Sequence, residues 1–324
     1  MLKRILRWSI LGGTLFFLAK ALKDNWYSVM SIRIDEAGWA ILSIATGVTL
    51  FAHTWAGLVW TWILKELKAP VPTLSFMQVY LKTNIAKYLP GNVWHYWGRI
   101  VEAKNAQIPT AIAVLSVLLE PLLMVAAAAV VIVLFGYQFT VLTTSVGLQI
   151  LQVVGLVIVL LAFHPRLLNP ALNRLKKLKF KKTETKIHSE TYSETASETS
   201  SELEMNLNLQ HYPWKPLLGE LTFLVLRASG FILTIFALAP LQPHQIPLLL
   251  GAFSLAWLLG LIVPGAPGGL GVFEATSIFL LQHHFPSALI ISAVGLYRLV
   301  SIIAETTGAA LAWLDERLTI TLDL

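Results

Sequence analysis

Apolar residues along this chain form long blocks instead of alternating with polar ones. The blocks predict helices over about 5–22, 38–64, 110–135, 142–163, 216–239, 246–263 and 287–314. Most of them reach the roughly 20 residues that cross about 30 Å of hydrocarbon as helix. A β-barrel would show short alternating segments instead. The pattern therefore predicts an all-α fold, a polytopic transmembrane helix bundle of about 7–8 spans. Two further segments, 74–100 and 268–285, are amphipathic or short and are broken by Pro and Gly. They are predicted to be re-entrant, although the first could also cross twice.

Composition agrees with a membrane solvent. The 324 residues are 56% hydrophobic and 13% charged, where soluble domains carry about a quarter charged. The absence of cysteine excludes disulfides, thiolate metal sites and a cysteine nucleophile. The net charge of +6 crowds into particular loops, which in such a chain reports topology and not nucleic acid. Lys3, Arg4 and Arg7 place the N-terminus in the cytoplasm. Lys65, Lys68 and Lys104 fall on the same side, as does a large loop carrying Arg166, Arg174, Lys176, Lys177, Lys179, Lys181, Lys182 and Lys186. Segments 24–36, 136–141 and 240–245 fall outside, in a cytoplasmic (inner) membrane. The first block reads as an uncleaved helix; the cleavage-like Ala19-Lys20-Ala21 gives the same topology if used.

The loop 165–214 is basic in its first half and reads "SETYSETASETSSELE" in its second. Glu190, Glu194, Glu198 and Glu202 would stack and repel on a helix, so this stretch is expected to be disordered. The basic half suits anionic headgroups or acts only as a topological determinant and tether. The loop divides the chain into an N-terminal membrane half, 1–164, and a C-terminal half, 215–324. Each half has two spans and then a Pro-Gly-broken segment, a transporter signature. The loop charges make the two halves parallel.

The unusual chemistry sits at the breaks. "KYLPGNVWHYWGR", Lys87 to Arg99, mixes aromatics and cations around Pro90-Gly91. Tyr88, Trp94, Tyr96 and Trp97 suit the headgroup boundary, and Lys82, Lys87 and Arg99 can snorkel to the same level. Arg99 is the best phosphate ligand, because its planar fork matches phosphate oxygens. An interfacial anchor without ligand is the alternative. The second break, "PGAPGGLGVFEA" from Pro264 to Ala275, cannot continue a helix. The helix that restarts after Gly271 turns its free N–H groups back toward the break, where anions are favoured; a tight interhelical turn is the alternative. Glu120, Glu220, Arg227, Glu274, Arg298 and Glu305 lie in apolar segments, each costly in lipid unless paired or hydrated. Arg298 can pair with Glu120 or Glu274, and Glu305 with Arg227. His53 reads as a packed polar residue, not a metal ligand. No catalytic nucleophile, metal pair or cofactor motif is present.

Two motifs carry a resemblance. Lys87-Tyr88-Leu89-Pro90-Gly91 followed by Arg99, and Pro267-Gly268-Gly269-Leu270-Gly271-Val272-Phe273-Glu274, resemble the lysylphosphatidylglycerol synthase/flippase transmembrane family. The resemblance covers the hydrophobic chain and implies a region that moves an aminoacylated phospholipid between leaflets. About ten residues follow the last span, so the expectation is a membrane region without the soluble aminoacyltransferase domain, and no enzyme activity. The expected function is a lipid translocator for a phosphate-bearing headgroup, with no cofactor. Lys87, Pro90, Gly91, Arg99, Gly268, Gly269, Gly271 and Glu274 would form the headgroup site. Glu120, Arg227, Arg298 and Glu305 would form an intramembrane charge network. The alternatives are a membrane subunit of a lipid-modifying transferase and a non-transporting lipid-binding scaffold. The lipid itself and the oligomeric state are not legible in the sequence.

Overall fold

A computed structural model describes residue 23, residues 26–89, 93–136 and 146–170, residue 174, and residues 209–263 and 267–322. The expected span 5–22, Pro90-Gly91, the break residues 264–266 and most of the Ser-Glu-rich loop lie outside the described residues. Those that are described form a helical bundle without a strand. Its helices are α1 (Glu36–Glu66), α2 (Thr73–Asn84), α3 (Trp94–Asn105), α4 (Thr110–Phe135), α5 (Val146–Ala162), α6 (Trp214–Phe236), α7 (Ile246–Ile262), α8 (Val272–Leu281) and α9 (Ser287–Leu322). Segments of α1, α4, α6, α7 with its preceding turn, and α9 are long and apolar enough to cross a membrane. The expected helices are all present where described. The last one, expected over 287–314, continues to Leu322.

Local chemistry sets the ends. Asp35 caps α1, its side chain accepting from Gly38 N at 2.7 Å. Glu36 in the first turn and Lys65 in the last both suit the helix dipole. The helix closes with Lys68 N donating to Lys65 O and Ala69 N to Leu64 O, and Lys68 has a left-handed φ of 61°. The same closure recurs at Gln107 after α3, also at φ 61°.

Packing fixes the direction of each helix. Gly38, early in α1, packs against the Ala237 carbonyl just past α6, and Lys215 at the start of α6 sits over Trp62 near the end of α1. These two helices are therefore antiparallel. Gly230 of α6 packs against Thr49 and Tyr297, and Gly308 against Leu50 and Leu81, so α9 runs parallel to α1. The ends of α1 and α9, the starts of α2, α4 and α6, and the end of α3 consequently share one face of the bundle. Asn169 there brackets Leu209, donating to its carbonyl and accepting from its N–H at 2.9 Å each. The ends of the expected 165–214 loop are thus folded: 165–170 is helical and Leu209 is buried.

The two broken segments are helical hairpins. Helices α2 and α3 have 12 residues each, about 18 Å at 1.5 Å per residue, which is too short to span. They leave the shared face and return to it around a 3-10 turn, Ile85–Tyr88. In the second hairpin, Phe253 of α7 meets Phe273 of α8 while Gly260 meets Gly269, so these helices are antiparallel and descend from the opposite face. The loop charges gave parallel halves; the hairpins instead enter from opposite sides. Uncharged 240–245 and histidine-rich 282–286 carry no signal that could have shown this. Of the two segments expected to be re-entrant, 74–100 forms a hairpin of two short helices, whereas 268–285 holds the glycine-rich turn and α8, which folds back on α7, a helix long enough with its preceding turn to cross a membrane.

Candidate functional site

The two hairpin tips meet near the middle of α9. The Tyr88 ring lies against Gly268, where an added Cβ would come within 3.0 Å of it. Gly268 and Gly269 hold φ of 57° and 73°, which a side chain rarely tolerates. Gly269 also meets the Gly260 backbone, with 3.3 Å from a built Cβ to the facing Cα. Glycine therefore serves two ends here, left-handed backbone and close approach. Beside the tips lies a partly open cleft. Its walls include Tyr80, Asn84, Lys87, Tyr88, His95 and Arg99 from the first hairpin, and Gly268, Gly269 and Phe273 from the second. Glu120, Arg227, Arg298 and Ser301 add to the polar lining.

Three ion-pair groups support these walls. Arg99, 1% exposed, donates through Nη1 to Glu120, and its guanidinium lies 3.7 Å from the Tyr80 ring centre. Tyr80 donates its hydroxyl to the other Glu120 oxygen at 2.9 Å. In the second group one oxygen of Glu305 gathers Lys87 Nζ at 2.7 Å, His53 Nε2 at 3.0 Å and Arg227 Nη1 at 4.0 Å. Arg227 also donates to Ser301 at 3.3 Å. The third group closes the glycine-rich break. Arg298 donates through Nε and Nη2 to Glu274, and through Nη1 to the Gly268 carbonyl at 2.9 Å. The other Glu274 oxygen accepts from Gly271 N at 2.6 Å, capping α8.

Of the expected headgroup residues, Lys87, Arg99, Gly268 and Gly269 line the cleft. Gly271 and Glu274 stand behind it and shape the break, and Pro90-Gly91 lies outside the described residues. The charges expected to form one network lie in separate pairs: Arg298 with Glu274, Glu305 with Arg227 at 4.0 Å, and Glu120 with Arg99. Arg99 thus has its fork engaged by a carboxylate and an aromatic face. Lys82, read as a boundary cation, pairs with Glu316 at 2.8 Å. The aromatic reading needs correction. Trp94 and Trp97 are 50% and 61% exposed on the outside of α3, whereas Tyr88 and Tyr96 face the cleft. The spacing His95, Arg99, Ala103 marks the buried face at i, i+4, and it was the signal available.

Sequence reasoning missed the Lys87–Glu305 pair, which joins positions 218 apart, and the roles of Tyr80, Asn84, His95 and Ser301. No periodicity links such positions. Among the described residues no group of three His, Asp or Glu side chains is placed to hold a metal ion. What the walls offer is cationic donors set among the apolar helices. Arg99 Nε and Arg227 Nε are buried and have no hydrogen-bond partner within the protein, where buried polar groups are nearly always paired.

In comparison with known proteins, one family model, described as the lysylphosphatidylglycerol synthase TM region, matches residues 5–307. No curated protein matches the chain.

Proposed function

The chain belongs to that family, and from this premise we propose that it is a lipid translocator that receives a phosphate-bearing headgroup in the cleft between the two hairpins. The observation that carries the reading is the wall of Lys87, Arg99, Arg227 and Arg298 around that cleft, with two arginine Nε donors still bare. Charges at membrane depth are expensive unless paired or hydrated and mark functional sites, and here four cations share three carboxylates. Irregular backbone survives there only against protein or a water-filled cavity, and discontinuous helices entering from opposite faces are how transporters frame a central site. Lys87 and the Gly268-Gly269 turn touch the headgroup. Arg99 sits in the wall, fixed by Glu120, and contributes field and a single Nε donor. The lipid tails stay in the bilayer while the tips shift past one another.

The same reading places the protein in the cell membrane, with the N-terminus and the 165–214 loop in the cytoplasm. The two halves, 1–164 and 215–324, each contribute one hairpin, and the loop is a tether between them. We assign transport and no bond-breaking step to the site.

Purified protein reconstituted into liposomes with fluorescent phosphatidylglycerol in the inner leaflet tests this. The label should become accessible to an external quencher faster than in protein-free vesicles, and the lipid's mass should not change. Unchanged accessibility overturns translocation of this lipid class, and a mass change points to a transferase.

A further inference from the structure

Glu220 takes no part in the three ion-pair groups, yet it is the most secluded carboxylate among them. It lies in α6, seven residues from Arg227, and is 0% exposed. Neither of its carboxylate oxygens has a hydrogen-bond partner within the protein. The charged groups in its electrostatic reach are Glu120 from α4 and Arg99 from α3. Tyr80 from α2 and Tyr96 from α3 feel its charge as well. Helix α1 presents Val59, Trp62 and the Trp55 indole at Gly219. Helix α7 carries no titratable residue, and on α9 Arg298 and Glu305 are engaged elsewhere. His53 and His95 face the cleft beyond.

We propose that Glu220 is a proton-binding site, and that its proton accompanies the anionic headgroup into the cleft. The proposal rests on the function proposed above. Its basis is charge bookkeeping among fixed groups. Lys87, Arg99, Arg227 and Arg298 carry four formal positive charges, and Glu120, Glu274 and Glu305 answer three of them through direct contacts. With Glu220 ionised the set is formally neutral. With Glu220 protonated it holds one positive charge in excess, which suits a monoanionic phosphodiester. In a low-dielectric interior an uncompensated charge is costly, so the anion and the proton favour each other's entry. This favour is reciprocal by thermodynamic linkage. Glu120, hydrogen-bonded to Tyr80, is the cleft-lining carboxylate within electrostatic reach of Glu220. No bond of the lipid changes; a hydronium or buffer acid gives up one proton, which forms an O–H bond with a Glu220 oxygen as one anion enters.

Calorimetric titration of the detergent-solubilised full chain with dihexanoyl phosphatidylglycerol, in two buffers of different ionisation enthalpy, counts the protons. On the alkaline side of the Glu220 titration about one proton should be taken up per lipid bound and affinity should fall about ten-fold per pH unit, both effects fading at lower pH, where the lipid-free protein already holds the proton. Glu220→Gln should bind without uptake and without that slope. Lipid binding with no proton uptake and no pH slope in the parent protein at any pH where it is folded overturns the proton site and leaves the translocator reading standing. Equal uptake in Glu220→Gln overturns the assignment to Glu220. If the parent binds no lipid, the translocator reading is what fails, and infrared difference spectroscopy of the protein alone decides the proton site. A protonated-carboxyl band that titrates and vanishes in Glu220→Gln supports it, and absence of that band at every pH where the protein is folded overturns it.

Discussion

The ion pairs behave as buried residues must, each charge answered by a specific neighbour. Arg99 is the clearest case, because its guanidinium is held at once by Glu120 and by the Tyr80 ring. Replacing it by Met strands Glu120 as a buried carboxylate facing Glu220, which should cost about 3–5 kcal/mol. Removing both partners, in Arg99→Met with Glu120→Leu, should recover most of that loss, since replacing a buried pair by apolar groups is often neutral. Arg99→Lys should fall between, keeping charge but losing the stacked planar fork. Thermal denaturation of the purified variants in one detergent checks the series. A double variant as unstable as the single one would show that Arg99 is held by something other than Glu120. The sequence showed that Glu120 needed a partner, because it sits inside an apolar run, and read Arg99 as a boundary cation or phosphate ligand. It did not show that they needed each other, since 21 residues and a change of helix separate them.

At the scale of elements, length and hydrophobicity were enough to locate α1, α4, α6, α7 and α9. The breaks were equally visible, because clustered Gly and Pro cannot be helix interior. What pattern could not supply was where the tips go. Their meeting depends on Gly268, whose left-handed φ of 57° and contact with Tyr88 are separate demands. Gly268→Ala should cost about 1–2 kcal/mol for the left-handed backbone alone, plus a steric part from the Tyr88 ring. In a Tyr88→Ala background the steric part should disappear and the backbone part remain. Non-additivity of this kind is what a double-mutant cycle reads for residues in contact. Equal costs in both backgrounds would mean that the hairpin tips do not touch. The same logic explains why Lys87 was legible as a cation and not as the partner of Glu305: its neighbour is set by where the first hairpin ends against α9.

The whole molecule has two chemically unlike faces. One carries Lys65, Lys68, Lys104, Arg166, Lys215 and the Arg317 end of α9; the other begins α1 at Asp35 and Glu36 and carries His244, His283 and His284 at the base of the second hairpin. Excess Lys and Arg near span ends mark the cytoplasmic side, so the first face should be inside and the second outside. That assignment brings the 165–214 loop and the end of α9 to the cytoplasm together, because the start of α6 and the end of α1 share a face through Lys215 and Trp62. It would also make the hairpins unequal, the first opening inward and the second outward, and on the proposed function headgroups from the two leaflets would approach the same tips from opposite directions. The chain has no cysteine, which permits single-cysteine labelling on an otherwise silent background. Lys68→Cys and Gln107→Cys, both exposed at helix ends on the first face, should resist a membrane-impermeant maleimide in intact cells and react after permeabilisation. His244→Cys and His283→Cys, exposed on the second face, should react without permeabilisation. Position 283 is the decisive one, since loop charge gave no direction for the second hairpin. Labelling of 68 and 283 from the same side would remove the opposed hairpins, and with them the route by which one cleft serves both leaflets.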